Sequence, residues 1–263
     1  MARWIEIDEP HDLSPWQLPL REAPTQMAKA LAKGVILSDA PFVPFVLMTD
    51  PHGDGVEDGV WRHPDGTMTV ACTTPMPGVS AQMWDWWFGW HSLSSARYRL
   101  WHPTAHVKAK LAEDRRHLPI GRPRYLGNIS AVDEYIGAQM TRLGIAFVPP
   151  AEFGLDERAV EALGTAICAN VSLRQERMQS SQLVHLIEGQ ADGCVMHSRF
   201  HMGQLRSSLP LVGPLVTAIV NRPGPRRKLI NDALGLALLR HCFEEMHHLA
   251  GILPALYGKF GRD

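Results

Sequence analysis

The chain has 263 residues, with 26 Lys and Arg against 27 Asp and Glu for a formal net charge of −1, and is 45% hydrophobic and 20% charged. This balance argues against a protein that grips nucleic acid or an anionic membrane by charge, and the length suits one large domain or a domain with a smaller appendage. Cys72, Cys168, Cys194 and Cys242 form no CxxC pair. The expectation is therefore reduced thiols in a cytoplasmic protein, with neither a signal peptide nor a membrane span.

Residues 1–60 read as irregular to helical, broken by prolines from 10 to 51, with one helix in "TQMAKALAKGV" ended by Gly34. The following "PHGDGVEDG" resembles a calcium loop only at Asp50, Asp54 and Gly55; Trp61 occupies the place of the bidentate glutamate, which leaves a plain Gly/Asp loop. Beyond Trp61, "TMTVACTT" alternates as a strand, and "SAQMWDWWFGWHS" reads as a helix capped by Ser80. "RYRLWHP" reads as a strand, and "RYLGNISAVDEYIGAQMTRLGIAFVPP" as two or three strands broken at glycine. "ERAVEALGTAICANVSL" reads as a helix. "QLVHLIEG" and "CVMHSRFHMG" read as strands joined by an Asp-Gly turn. A closing helix is predicted over 227–250, stopped ahead of Pro254. The sum is α+β: antiparallel strands forming a curved sheet around a final helix, with residues 1–60 as an N-terminal part and 61–263 as the main domain.

Within the closing "LRHCFEEMHHLAGILPALY", His241 shares its helical face with Ile230, Leu234, Ala237 and Leu238, and Glu245 lies one turn further on. A carboxylate on a buried face is expensive unless paired or bound to a metal, and His and Glu at i and i+4 can reach one cation. A solvated helix end is the plain alternative, and it suits Glu244, His247 and His248. Two ligands do not hold a catalytic metal. Further donors are available at His102 and His106, Asp133 and Glu134, His185, His197 and His201, and spacing alone does not choose among them. Strand alternation puts Glu134 with Val132 and Ile136 on a face suited to burial, and Asp133 with Tyr135 on the other. Trp84, Trp86, Trp87, Trp90 and Trp101 crowd one window; such residues on an amphipathic helix are more often core than cavity wall.

The block "WWFGWHS…RYRLWHPTAHV", a strand glutamate about thirty residues on and the closing HxxxE together resemble the 2,4-diacetylphloroglucinol hydrolase family, which includes phloretin hydrolase. The resemblance runs from about Trp61 onward and implies a zinc-dependent hydrolase that cleaves the C–C bond between an aromatic ring and an acyl group. It implies a Bet v 1-like helix-grip fold, a homodimer and a small acylated phenol as substrate. It further implies zinc ligands at His106, Glu134, His241 and Glu245, with His102 the rival to His106. Tyr98 falls where the family holds a phenolic oxygen, and His185 where it has a histidine suited to proton transfer. Phe200 falls where the diacetylphloroglucinol enzyme has a second phenol-binding tyrosine, a loss of one hydroxyl that points to a different acylphenol. The rival reading is a helix-grip carrier of an aromatic or polyketide ligand, or a polyketide cyclase, neither of which needs a metal.

Overall fold

A computed structural model describes residues 4–261. In chain order the elements are α1 (Thr25–Ala32), β1 (Val35–Leu37), β2 (Gly59–Arg62), β3 (Met68–Pro77), α2 (Ala81–His91), α3 (Ser95–Trp101), β4 (His106–Leu111) and α4 (Arg122–Tyr125). They continue with β5 (Ile129–Ile136), β6 (Gln139–Val148), α5 (Glu157–Leu163), β7 (Gly164–Leu173), β8 (Met178–Gln190), β9 (Gly193–Ser207), α6 (Gly213–Val220), α7 (Pro223–Leu229) and α8 (Asp232–Phe260).

Strands β4 to β9 follow one another as a meander, and β3 joins the last of them, giving the order β1-β2-β3-β9-β8-β7-β6-β5-β4. All pairs are antiparallel except β1 with β2. Helices α2 and α3 carry the chain from β3 to the far edge at β4. Helix α8 packs against both β3 and β5. Those strands lie five inter-strand steps apart, roughly 24 Å along the sheet, more than twice the roughly 10 Å width of a helix. One helix reaches both because the sheet wraps around it: the helix-grip form of the α+β class. The expected elements at α1, β3, α2, β8 and β9 are present, and the Ser80 hydroxyl accepts from the Met83 amide at the start of α2 as its sequence position implies.

Three expectations are corrected. "RYRLWHP" is not a strand: residues Ser95–Trp101 form α3, because the Ser94 hydroxyl caps the Ala96 amide and the segment contains no β-branched residue. Glu6 and Glu9 of the N-terminal segment bind Ser95 and Arg97 from outside, fixing that helix in place. "ERAVEALGTAICANVSL" is helical only as far as Leu163. Gly164, at φ +153° with the Ile187 carbonyl 2.5 Å from where a Cβ would stand, breaks the helix, and Thr165, Ile167 and Val171 continue as β7.

The closing helix neither starts at 227 nor stops before Pro254. Asn231 caps the Leu234 amide to begin α8, and the helix runs through Pro254 to Phe260. Interior proline costs about 3 kcal/mol. The turn beyond it is held by packing: Leu256 and Phe260 are buried, and the Phe260 ring stacks on Trp90 at 5.4 Å and meets Trp16 at 5.1 Å. Phe260→Ala removes that anchor and should destabilise the protein by about 3 kcal/mol in urea unfolding, with loss of helicity confined to the turns after Pro254.

Candidate metal centre

The buried face of α8 presents Leu234, Leu238, His241 and Glu245 to a cavity between the helix and the strands, with a volume of about 170 Å³. That is the scale of the ~150 Å³ void known to admit a benzene-sized ligand. Its walls are mainly aliphatic and aromatic, and Tyr98, Glu134, His185, Phe200, His241 and Glu245 all contribute to them. Of the five clustered tryptophans, Trp84, Trp86, Trp87 and Trp90 form core, while Trp101 lines the cavity with Phe88 and His91.

The polar end is assembled from four elements. His106 opens β4 and is the cross-strand neighbour of Glu134 in β5, so the two side chains share a face. The His106 Nε2 atom lies 3.3 Å from His241 Nε2, 3.4 Å from Glu245 Oε2 and 3.8 Å from Glu134 Oε2, and His241 Nε2 lies 3.7 Å from Glu245 Oε2. Tyr98 on α3 organises the group: its hydroxyl donates to Glu134 Oε2, and its ring stacks on His106 with centroids 3.9 Å apart and planes 5° apart. The His106 Nδ1–H donates to the Tyr98 carbonyl at 3.1 Å. A carbonyl only accepts, so Nδ1 carries the proton and Nε2 turns a lone pair to the centre, the arrangement of a metal-ligating histidine.

Burial sets the electrostatics. It pushes His241 down to about 3, with His102 adding to the effect, and holds His106 well below the ordinary imidazole value, with His241 and His102 next in importance. It lifts Glu134 to about 7 against the opposing hydrogen bond from Tyr98, and lifts Glu245 well above the usual carboxylate range, helped by Cys242 and Glu134. Two neutral imidazoles with lone pairs and two desolvated carboxyls are mutually unfavourable donors, and one cation satisfies them all. The ligand atoms of His106, His241 and Glu245 lie within 4.8 Å of one another. Most of the separations fall near the ~3.4 Å edge of a tetrahedron with ~2.1 Å bonds. These three residues could hold a divalent ion, with Glu134 beside them on the tether to Tyr98.

His102 lies outside the group. Its ring stacks on His241 at 4.9 Å and its Nε2 faces Glu244 Oε2 at 3.4 Å, so it backs His241 and draws Glu244 out of the solvated role expected of it. His248 is not solvated either, being buried with Nδ1 accepting from the Arg21 amide. His185 stands elsewhere in the cavity; its Nδ1 meets the Ser198 hydroxyl at 2.8 Å, its ring meets Phe200 edge-on at 5.8 Å, and burial pushes it down to about 3. His197 and His201 alternate to the outer face, where they meet Glu188 and Phe45. Asp133 also turns outward and pairs with Arg174. Sequence reasoning missed Ser198, whose role depends on the register that sets it opposite His185.

A stability signature follows for protein freed of metal by chelation. A carboxyl raised above its unfolded value binds its proton more tightly in the folded state. Its contribution is full below the unfolded value near 4.5 and is lost as pH climbs through the folded value near 7. Metal-free protein should lose about 3 kcal/mol between those limits from Glu134 alone, read by urea unfolding at each pH, and a divalent ion that binds the group should flatten the profile.

Residues 46–258 match the family described as the DAPG hydrolase PhiG domain. A 2,4-diacetylphloroglucinol hydrolase of Pseudomonas protegens is 32% identical over 191 residues, 70% of this chain and 62% of its own length. A phloretin hydrolase of Eubacterium ramulus is 33% identical over 205 residues, 74% of this chain and 69% of its own length. The chain thus spans less than two-thirds of the length of the diacetylphloroglucinol hydrolase and slightly more than two-thirds of that of the phloretin hydrolase. Among solved structures, the ginseng major latex-like protein 151 from Panax ginseng aligns over 70% of this chain and 98% of its own at 14% identity, with a TM-score of 0.38. On the family match and the identity to both hydrolases, the chain belongs to the DAPG hydrolase PhiG domain family.

Proposed function

We propose that this chain is a zinc-dependent hydrolase that cleaves the C–C bond between a phloroglucinol-type ring and its acyl group, releasing a carboxylic acid. The observation that carries the reading is the convergence of His106, His241 and Glu245 at the buried end of an apolar cavity. His106, His241, Glu245 and Glu134 are the ligands. The domain that does the work is residues 61–263, behind an N-terminal part of residues 1–60, in a cytoplasmic homodimer.

A bound divalent ion supplies Lewis acidity toward the acyl carbonyl and a lower pKa for water. The rest of the chemistry falls to the chain. The ring reacts as its keto tautomer, with a proton on the carbon that bears the acyl group. Water adds to the acyl carbonyl, the C–C bond breaks with its electron pair passing to the ring to give an aromatic phenolate, and the phenolic oxygen takes up the proton that the water gave up. His185 is neutral at working pH and oriented through Nδ1 by Ser198, so its Nε2 can carry the proton between ring and phenolic oxygen. Tyr98 donates its one hydroxyl proton to Glu134 and holds it in place, and the same oxygen can accept from a phenolic hydroxyl of the ring. The apolar walls, Phe200 included, hold the ring and exclude water.

The walls alone would equally serve a carrier, which needs no metal. Metal content separates the two: wild-type protein should hold about one zinc per chain by mass spectrometry, and His241→Ala should hold none and lose turnover of acylphloroglucinols. Glu245→Ala retaining both zinc and full activity would overturn the ligand assignment. His185→Gln should keep its zinc while kcat falls by about 10²-fold.

A further inference from the structure

Leu173 ends β7 and Met178 begins β8, and both are half-buried parts of the cavity wall on either side of a tight turn. The same two residues also line a second cleft, of about 670 Å³. Leu143, Leu173 and Leu205 face the cavity, so their neighbours Arg142, Arg174 and Arg206 alternate outward into that cleft, where Arg177 of the turn joins them. No aspartate or glutamate lines it, although Glu176 belongs to the same turn. Asp133 pairs with Arg174. Among the described residues, the side chains of Arg142, Arg177 and Arg206 have no ion pair and no hydrogen-bond partner. Four guanidiniums against one carboxylate leave an excess of three positive charges in one cleft of a chain whose net charge is −1.

Arg177 adds a second observation. Its φ of +52° lies in the left-handed region, which glycine occupies at less cost, and the Ser208 amide and hydroxyl both donate to its carbonyl and hold it there. An unfavourable backbone is thus kept at a position that carries charge into the cleft. Like charges gathered without partners repel one another, and an anion relieves them. Leu173 occupies the register row of Leu143 and Val132, and Val132 is one inner-face position from Glu134. The wall shared by cleft and cavity therefore lies roughly 7 Å along the strands from the row of Glu134.

We propose that this cleft binds an organic carboxylate, its charged head among the arginines and its apolar tail between Leu173 and Met178 at the edge of the cavity. On the functional reading above, on which this role rests, the carboxylate is the acid released by C–C cleavage. Such an acid ionises at about pH 4, and an apolar cavity holds an anion poorly. The arginines draw it out and clear the cavity for the next substrate.

The test uses the full-length protein as purified, with hexanoate and its uncharged counterpart hexanamide as probes. Binding is measured by ligand NMR line broadening in wild type, in Arg142→Gln/Arg177→Gln/Arg206→Gln, and in Lys29→Gln/Arg158→Gln/Lys259→Gln, which loses the same charge outside the cleft. Wild type and the control should prefer hexanoate, and that preference should shrink as salt rises. The cleft variant should bind hexanoate about tenfold more weakly and hexanamide unchanged. Hydrolysis of acylphloroglucinols is measured in parallel.

Equal affinity of wild type for the two probes, or the same hexanoate affinity in both triple variants, overturns the proposal and leaves the hydrolase reading intact. A carboxylate held elsewhere, on a metal included, would give the second result. Inorganic phosphate that binds through the arginines and is not displaced by hexanoate also overturns it. Binding of hexanoate through the arginines by a protein that hydrolyses no acylphloroglucinol sustains the carboxylate site and overturns the hydrolase reading.

Discussion

Tyr98 is the constraint on which the closed end of the cavity depends. Its carbonyl fixes the proton on His106, its ring fixes the plane of that imidazole, and its hydroxyl fixes Glu134. One residue of α3 thereby joins β4 and β5 to the helix that precedes them, and His106 and Glu134 are held by contacts that do not involve α8. Side chains locked by packing and by outer hydrogen bonds lose little further freedom when they bind something, which is what a precise site requires.

The helix and the sheet solve complementary problems. Helix α8 is buried along much of its length, yet carries His241 and Glu245 on a buried face, where desolvation works against both. The sheet supplies the partners only because it curves, bringing β4 and β5 back to a helix that also lies on β3. The tryptophans of α2 supply apolar contact behind the cavity, while Phe88 and Trp101 carry that aromatic core into its wall beside aliphatic side chains.

Much of this was legible in the sequence, and the illegible parts share a cause. The i, i+4 spacing of His241 and Glu245, the alternation that separates Glu134 from Asp133, and the Asp-Gly turn before β9 are local signals, and each appears as read. The misread segments are those in which tertiary structure overrides local pattern. "RYRLWHP" alternates by composition but is helical because Ser94 caps it and Glu6 and Glu9 hold it from a distant part of the chain. Pro254 reads as a stop but is carried through by Phe260 on Trp90. The bond from Tyr98 to Glu134 and the pairing of His185 with Ser198 depend on strand register, which no single segment encodes. The sequence pointed to the donors; the way the structure holds and spaces them emerged only from the fold.

The out-of-order pairing of β3 with β9 has a kinetic consequence. His106 and His241 lie 135 residues apart in the chain, and the strand that closes the sheet against β9 was made before either. Contacts of such sequence separation form slowly, after local hairpins such as β8–β9 are in place. A cation therefore has no complete site to bind until the sheet has closed and α8 has docked. An ion held there would slow opening of the finished structure and would not speed its assembly, so the centre would act as a latch on the native state.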